Sequence, residues 1–298
     1  MNFTYIMIFS MMIWGVSWVA GKIISSNADQ FTVLFWRNIL TSVSLFPVIF
    51  ILKLELKLTL KTVIMSFLAS MAMLAYSYLF FLGLQKGMAG AAGVLVTSLN
   101  PIMNFTLVCI FNRHKLSRNE ALGLVLGAAG GLIQMKIWNE SMGSLYEKGI
   151  FLFLSASFLW AVLSFITEKS KDTAHPIYFS FLIYSISAAV SSFAGFSRDL
   201  RVVFQLGTSF WVSLFYLSVI STSFATTSYL IAASRIGSHK ASSFIFLVPS
   251  AAVISSWIIL GEVPVWNTIA GGTLSIAAVY LIQKVSKNQI TDEELIQD

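Results

Sequence analysis

The chain is 298 residues long, 57% hydrophobic and only 11% charged, with a mean hydropathy of +0.81 and a formal net charge of +6. Soluble domains carry about 25% charged residues, so a soluble globule is excluded. The surplus of cations sits in short loops, where it marks topology rather than a nucleic-acid partner.

Crossing ~30 Å of hydrocarbon takes roughly 20 apolar residues as a helix. Ten runs of about that length follow one another: 3–26, 30–52, 62–83, 88–112, 117–137, 146–166, 175–196, 207–232, 239–260 and 264–284. Backbone polar groups in lipid must be paired internally, so each run is expected to be a helix. The fold class read here is an all-α polytopic membrane protein of ten transmembrane helices. Residues 1–26 lack a basic start and exceed the length of a signal-peptide core, so this stretch reads as a first span rather than a cleaved leader. The one cysteine, Cys109, lies inside a span and reads as a small buried hydrophobe.

With the N-terminus inside, twelve Lys and Arg fall on the cytoplasmic side and five (Lys86, Lys136, Lys148, Arg198, Arg201) on the other. That asymmetry predicts both termini in the cytoplasm. An acidic tail, TDEELIQD, closes the chain.

The stretch from Gly83 to Ile133 has an echo at 232–281. Overlaid without gaps, Pro101 falls on Pro249, Asn119 on Asn267 and Gly123 on Gly271. Trp14 and Trp160 occupy like places in the first span of each half. Ten spans divide into units of five, residues 1–140 and 141–287, followed by a tail at 288–298. A five-helix unit ends on the side opposite its start, so a second copy is inverted, as in many secondary transporters.

WGVSWVAGK in the first span, FWRN in the second, GLQKGMAGAAGVLVTSLNP, and LGE after the ninth span together resemble the EamA-type branch of the drug/metabolite transporter superfamily. The resemblance covers nearly the whole chain. It implies a ten-helix inverted-repeat carrier in the cytoplasmic membrane, with a central cavity lined by the first four helices of each half. Members typically move amino acids, related metabolites or drugs, often outward. The family's Gly-Glu survives as Gly261-Glu262, whereas its counterpart in the first half is Arg113-His114.

Residue by residue, Trp14, Trp18 and Lys22 are spaced by four and form an aromatic stripe ending in a cation. Snorkelling to headgroups accounts for Lys22 as well as ligand binding does. Arg37 lies about two turns into its span, with no acid at similar depth in the first five spans. Such a cation needs carbonyls or an anionic ligand. Thr97, Asn100 and Asn104 share a helix face, fit either for gluing helices or for binding. Tyr76, Trp160 and Tyr229 complete the expected binding set of Trp14, Trp18, Lys22, Arg37, Tyr76, Asn100, Trp160 and Tyr229. Pro101 and Pro249 are expected to bend spans four and nine. Gly123, Gly127 and Gly131, with Gly271 and Ser275, allow close helix approach within the fold or in a homodimer.

No Asp or Glu lies at mid-span, the three histidines lie near loops, and no catalytic spacing is present. The expectation is a carrier rather than an enzyme, without metal or cofactor, working by uniport or exchange. Its partners are a small-molecule solute and membrane lipid. An importer of a nucleoside-like metabolite such as S-adenosylmethionine, and a non-transporting membrane scaffold, stay open as alternatives.

Overall fold

The computed structural model describes residues 3–86, 89–139, 141, 143, 149–194, 199–252 and 266–295. Gly261 and Glu262 lie outside them. Besides short 3₁₀ helices at Ile137–Asn139 and Leu200–Gln205, ten longer helical segments appear among the described residues. They are α1 (Phe3–Asn27), α2 (Gln30–Ile51), α3 (Leu60–Lys86), α4 (Ala89–Asn112), α5 (Arg118–Met135), α6 (Ile150–Lys169), α7 (Pro176–Ala194) and α8 (Thr208–Ile236), followed by α9 from Ser238 and α10 (Trp266–Leu295). Each falls on a predicted span. Six of them (α1, α2, α3, α6, α7 and α8) are long and apolar enough to cross a membrane. Large apolar side chains point outward, with Phe46, Phe111, Val125, Phe193 and Val212 all more than half exposed. A surface of that kind is solvated by lipid, not water.

Local chemistry sets the helix ends. The Asp29 carboxylate accepts from the backbone N–H of Phe31 and of Thr32, starting α2 two residues after α1 ends. Ser117 and Glu120 form a reciprocal capping box that starts α5. At the C-terminus, α10 runs past the apolar span to Leu295. A helix already nucleated adds further residues at far lower cost than starting a new one.

Both symmetry-related prolines sit in helical backbone. Ahead of Pro249, α9 tightens into a 3₁₀ turn at Phe244–Leu247. There the Val248 N–H bonds the Ile245 carbonyl, the acceptor that an N–H at position 249 would have taken. In α8 the departure is in the other sense, since Tyr216–Thr226 is wound as π-helix. The hydroxyls of Thr222, Ser223 and Thr226 each donate to the carbonyl five residues back, at 2.6, 3.0 and 3.1 Å.

The helices pair in sets that map onto themselves when the two halves of the chain are exchanged. α5 packs on α10, and α2 on α7; α1 on α8 is matched by α3 on α6, and α4 on α6 by α1 on α9. Glycines permit the closest of these approaches. A Cβ on Gly130 would lie 2.7 Å from the Gly271 carbonyl oxygen and 2.9 Å from Ser275 Oγ, so α5 and α10 meet backbone to backbone. On Gly15 it would lie 2.6 Å from the Ala252 nitrogen, where α1 crosses α9. Because that neighbour is backbone, Gly15→Ala should overpack the crossing and cost about 2 kcal/mol. The check is the melting temperature in detergent; a curve superimposable on the native one would mean that α1 and α9 part easily.

Candidate functional site

A cavity of about 90 Å³ lies between the two halves, large enough for several water molecules. Seven helices contribute to its wall: α1, α2, α3 and α4 from the first half, and α6, α8 and α9 from the second. Of the eight expected binding residues, six line it: Trp14, Trp18, Arg37, Tyr76, Asn100 and Trp160.

The aromatic side is a connected group. The Trp14 and Trp160 rings meet edge to face at 5.1 Å, and Tyr76 lies 4.7 Å from Trp160. Tyr229 stands behind them, fully buried, 5.3 Å from Trp14 and 5.4 Å from Trp160. Its hydroxyl shares a 2.8 Å hydrogen bond with Ser164. Tyr229 therefore supports the wall instead of forming it. Edge-to-face pairs lock one another's rotamers, which makes this a rigid apolar surface.

Arg37, 8% exposed, also lines the cavity. One terminal nitrogen donates to Ser77 Oγ at 3.0 Å, the other to Thr222 Oγ1 at 2.9 Å, and the guanidinium carbon lies 5.6 Å from the Phe81 ring centre. Nε is buried without a partner. Among the described residues the ion pairs are Lys57–Glu55 and His114–Glu120, so no carboxylate balances Arg37. A desolvated guanidinium held by two neutral hydroxyls is short of negative charge. The π turn explains the geometry: Thr222, already bonded to the Leu217 carbonyl, is presented to Arg37, while Leu217, Ser221 and Thr226 reach the cavity. π segments of this kind recur at functional sites.

Thr97 and Asn100 of α4 form a polar strip. Asn100 Nδ2 donates to the Ser157 carbonyl at 2.8 Å, leaving Oδ1 buried and unpaired. The repeat overlay carries Thr97 onto Ile245 and Asn100 onto Val248, and both of those line the cavity as well. Equivalent helices thus present a polar face from one half and an apolar face from the other. Nothing in the sequence reading singled out Ile245 and Val248.

Lys22 is absent from the wall. Its ammonium donates to the carbonyls of Leu84 and Gln85, at the C-terminal end of α3. That is the usual role of a cation at the negative end of a helix dipole. Away from the cavity, His114, Glu120 and His239 come together, the one group among the described residues able to hold a metal ion.

Comparison with known proteins agrees with this architecture. The sequence pattern of the EamA-like transporter family matches residues 3–135 and again residues 147–283. An uncharacterized transporter of Archaeoglobus fulgidus is 27% identical over 91% of this chain and 94% of its own. A Salmonella typhimurium protein named "probable amino-acid metabolite efflux pump" is 20% identical over 90% of both chains. A "probable terminal-alkyne amino-acid exporter" of Streptantibioticus cattleyicolor is 22% identical over 71% of this chain and 70% of its own. One crystal structure superposes with a TM-score of 0.76 over 97% of this chain and 98% of its own, at 13% identity, a likeness of fold alone. The chain belongs to the EamA-like transporter family, and it is an integral, polytopic membrane protein.

Proposed function

We propose that this EamA-like transporter is a secondary carrier for a small organic solute with an acidic group and an apolar body, an amino acid or a close relative. Arg37 carries the reading, as a buried cation with no carboxylate partner among the described residues, in the wall of an aromatic cavity. A carboxylate on the solute would supply the missing charge, and the Trp14–Tyr76–Trp160 surface would take the apolar part. The two relatives whose names mention amino acids support the same class.

The working architecture is ten transmembrane helices in two inverted repeats, residues 1–140 and 141–287, with both termini cytoplasmic. Its support is the doubled family match and the helix pairings that survive exchange of the halves. Rocking of one repeat against the other would open the cavity to each side in turn. With no acid at mid-span, export by uniport or exchange fits better than proton coupling through a buried carboxylate. A nucleoside-like solute finds less support, because the edge-to-face tryptophans leave no parallel slot for a purine. Since Gly130 is used up against α10, a homodimer would need another face.

The test is reconstitution into vesicles with a panel of amino acids, their amides, nucleosides and organic cations, scored by uptake and by thermal shift. Much faster movement of acids than of the matching amides is the expected result. Movement restricted to cations or uncharged solutes would sink the proposal. In the same assay Lys22→Met should cost about 1 kcal/mol of stability at the end of α3 and leave KM unchanged. A raised KM would return Lys22 to the binding set.

A further inference from the structure

We propose that His114, Glu120 and His239 form a binding site for a transition-metal ion of the zinc type, which ties the two halves of the molecule together at one end.

Two of the side chains come from the α4–α5 connection and the third from a distant part of the chain. His114 lies in the turn after α4, Glu120 in the first turn of α5, and His239 in the first turn of α9. One ligand atom from each lies within 4.8 Å of the others. His114 Nε2 is 3.2 Å from both Glu120 oxygens, and the two imidazole rings are 4.9 Å apart. Two imidazoles and a carboxylate are a common zinc set, with a fourth position left for water. Imidazole nitrogens also suit copper and nickel.

Two further observations separate this cluster from an ordinary histidine–carboxylate pair. Both ring nitrogens of His239 are buried without a hydrogen-bond partner, beside the Phe105 ring at 5.3 Å. A neutral imidazole buried that way wastes both of its polar atoms, whereas a metal ion would satisfy one of them. The ligands are also held from outside. Glu120 accepts from the Ser117 N–H at 2.8 Å, and Glu168 accepts from the Ser238 N–H at 2.8 Å and from Asn112 at 3.1 Å. Outer bonds of this kind fix metal ligands in place.

His114 and Glu120 belong to the first half and His239 to the second. A bound ion would staple the α4–α5 turn to the start of α9 and oppose separation of the halves at that end. This consequence rests on the carrier reading; binding of the ion does not.

The experiment uses the full-length protein in detergent, without a polyhistidine tag, titrated with zinc chloride against a chromophoric chelator. The native protein should take up one equivalent, and affinity should fall at least about 100-fold in His239→Ala and in Glu120→Gln. His239→Cys, which supplies a thiolate, should restore binding. Melting curves without metal identify any variant that is merely misfolded. Absence of uptake, or one equivalent retained in a folded His114→Ala/His239→Ala protein, would overturn the site. In vesicles, zinc should slow solute movement by the native protein and spare His239→Ala. Binding without that inhibition would overturn the staple while leaving the site. If no solute moves at all, it is the carrier reading that fails.

Discussion

Arg37→Met is expected to reduce movement of an acidic solute by roughly 10- to 100-fold, with the loss concentrated in KM. A charge-assisted hydrogen bond contributes about 1.5–3 kcal/mol, and each 1.4 kcal/mol is tenfold in affinity. The substitution keeps the length and apolar stem of the side chain. It leaves Thr222 still bonded to the Leu217 carbonyl, so the fold should survive. Arg37→Lys should recover little, because one ammonium cannot span Ser77 and Thr222 as the guanidinium does. The informative control is the solute's amide, which should lose much less than the acid. Equal losses for the two would show that Arg37 holds helices together and does not bind solute.

Asn100→Leu is the second large effect, with solute movement expected to fall at least about tenfold at normal expression. The side chain has two jobs: its amide nitrogen ties α4 to the Ser157 carbonyl of α6, and its buried oxygen has no partner. That oxygen is the acceptor a solute ammonium or amide would meet, and an unmet polar partner costs about 1–3 kcal/mol. Asn104 supplies the comparison. One turn along, it makes the same kind of bond to the Ala161 carbonyl at 3.3 Å, but it does not line the cavity. Asn104→Leu should lower the melting temperature and leave KM alone. If the two variants behave alike, Asn100 is interhelical glue.

Hydropathy and turn chemistry made the helices legible, because in a membrane the length of an apolar run is itself a structural constraint. The second run, read at 30–52, is α2 at Gln30–Ile51. Lys22 shows where such reading stops. Its spacing from Trp14 and Trp18 put it on their helix face, but no pattern within α1 could show that the free carbonyls of α3 end beside it. Tyr229 was read as a binding residue, whereas its place behind Trp14 and Trp160 depends on packing between three helices. The π turn in α8 was hidden for a related reason. Ser218, Thr222 and Thr226 are ordinary polar residues in the sequence, and a shift from four-residue to five-residue bonding leaves no mark on hydropathy. The metal-capable cluster was the least visible, since His239 lies more than a hundred residues from His114 and Glu120 and these residue types were unremarkable near loops.

The unlike faces of α4 and α9 have a stereochemical consequence. A ligand gripped by a cation at one point, an amide at a second and a greasy wall at a third has its substituents fixed in order around a carbon atom. Its mirror image can satisfy any two of these contacts but not all three. Had the halves kept identical residues at these positions, the cavity would have approached two-fold symmetry, and one ligand could have sat in it in two equivalent orientations. Divergence of Thr97 and Asn100 from Ile245 and Val248 removes that equivalence and leaves a single orientation in which the two mirror images are compared.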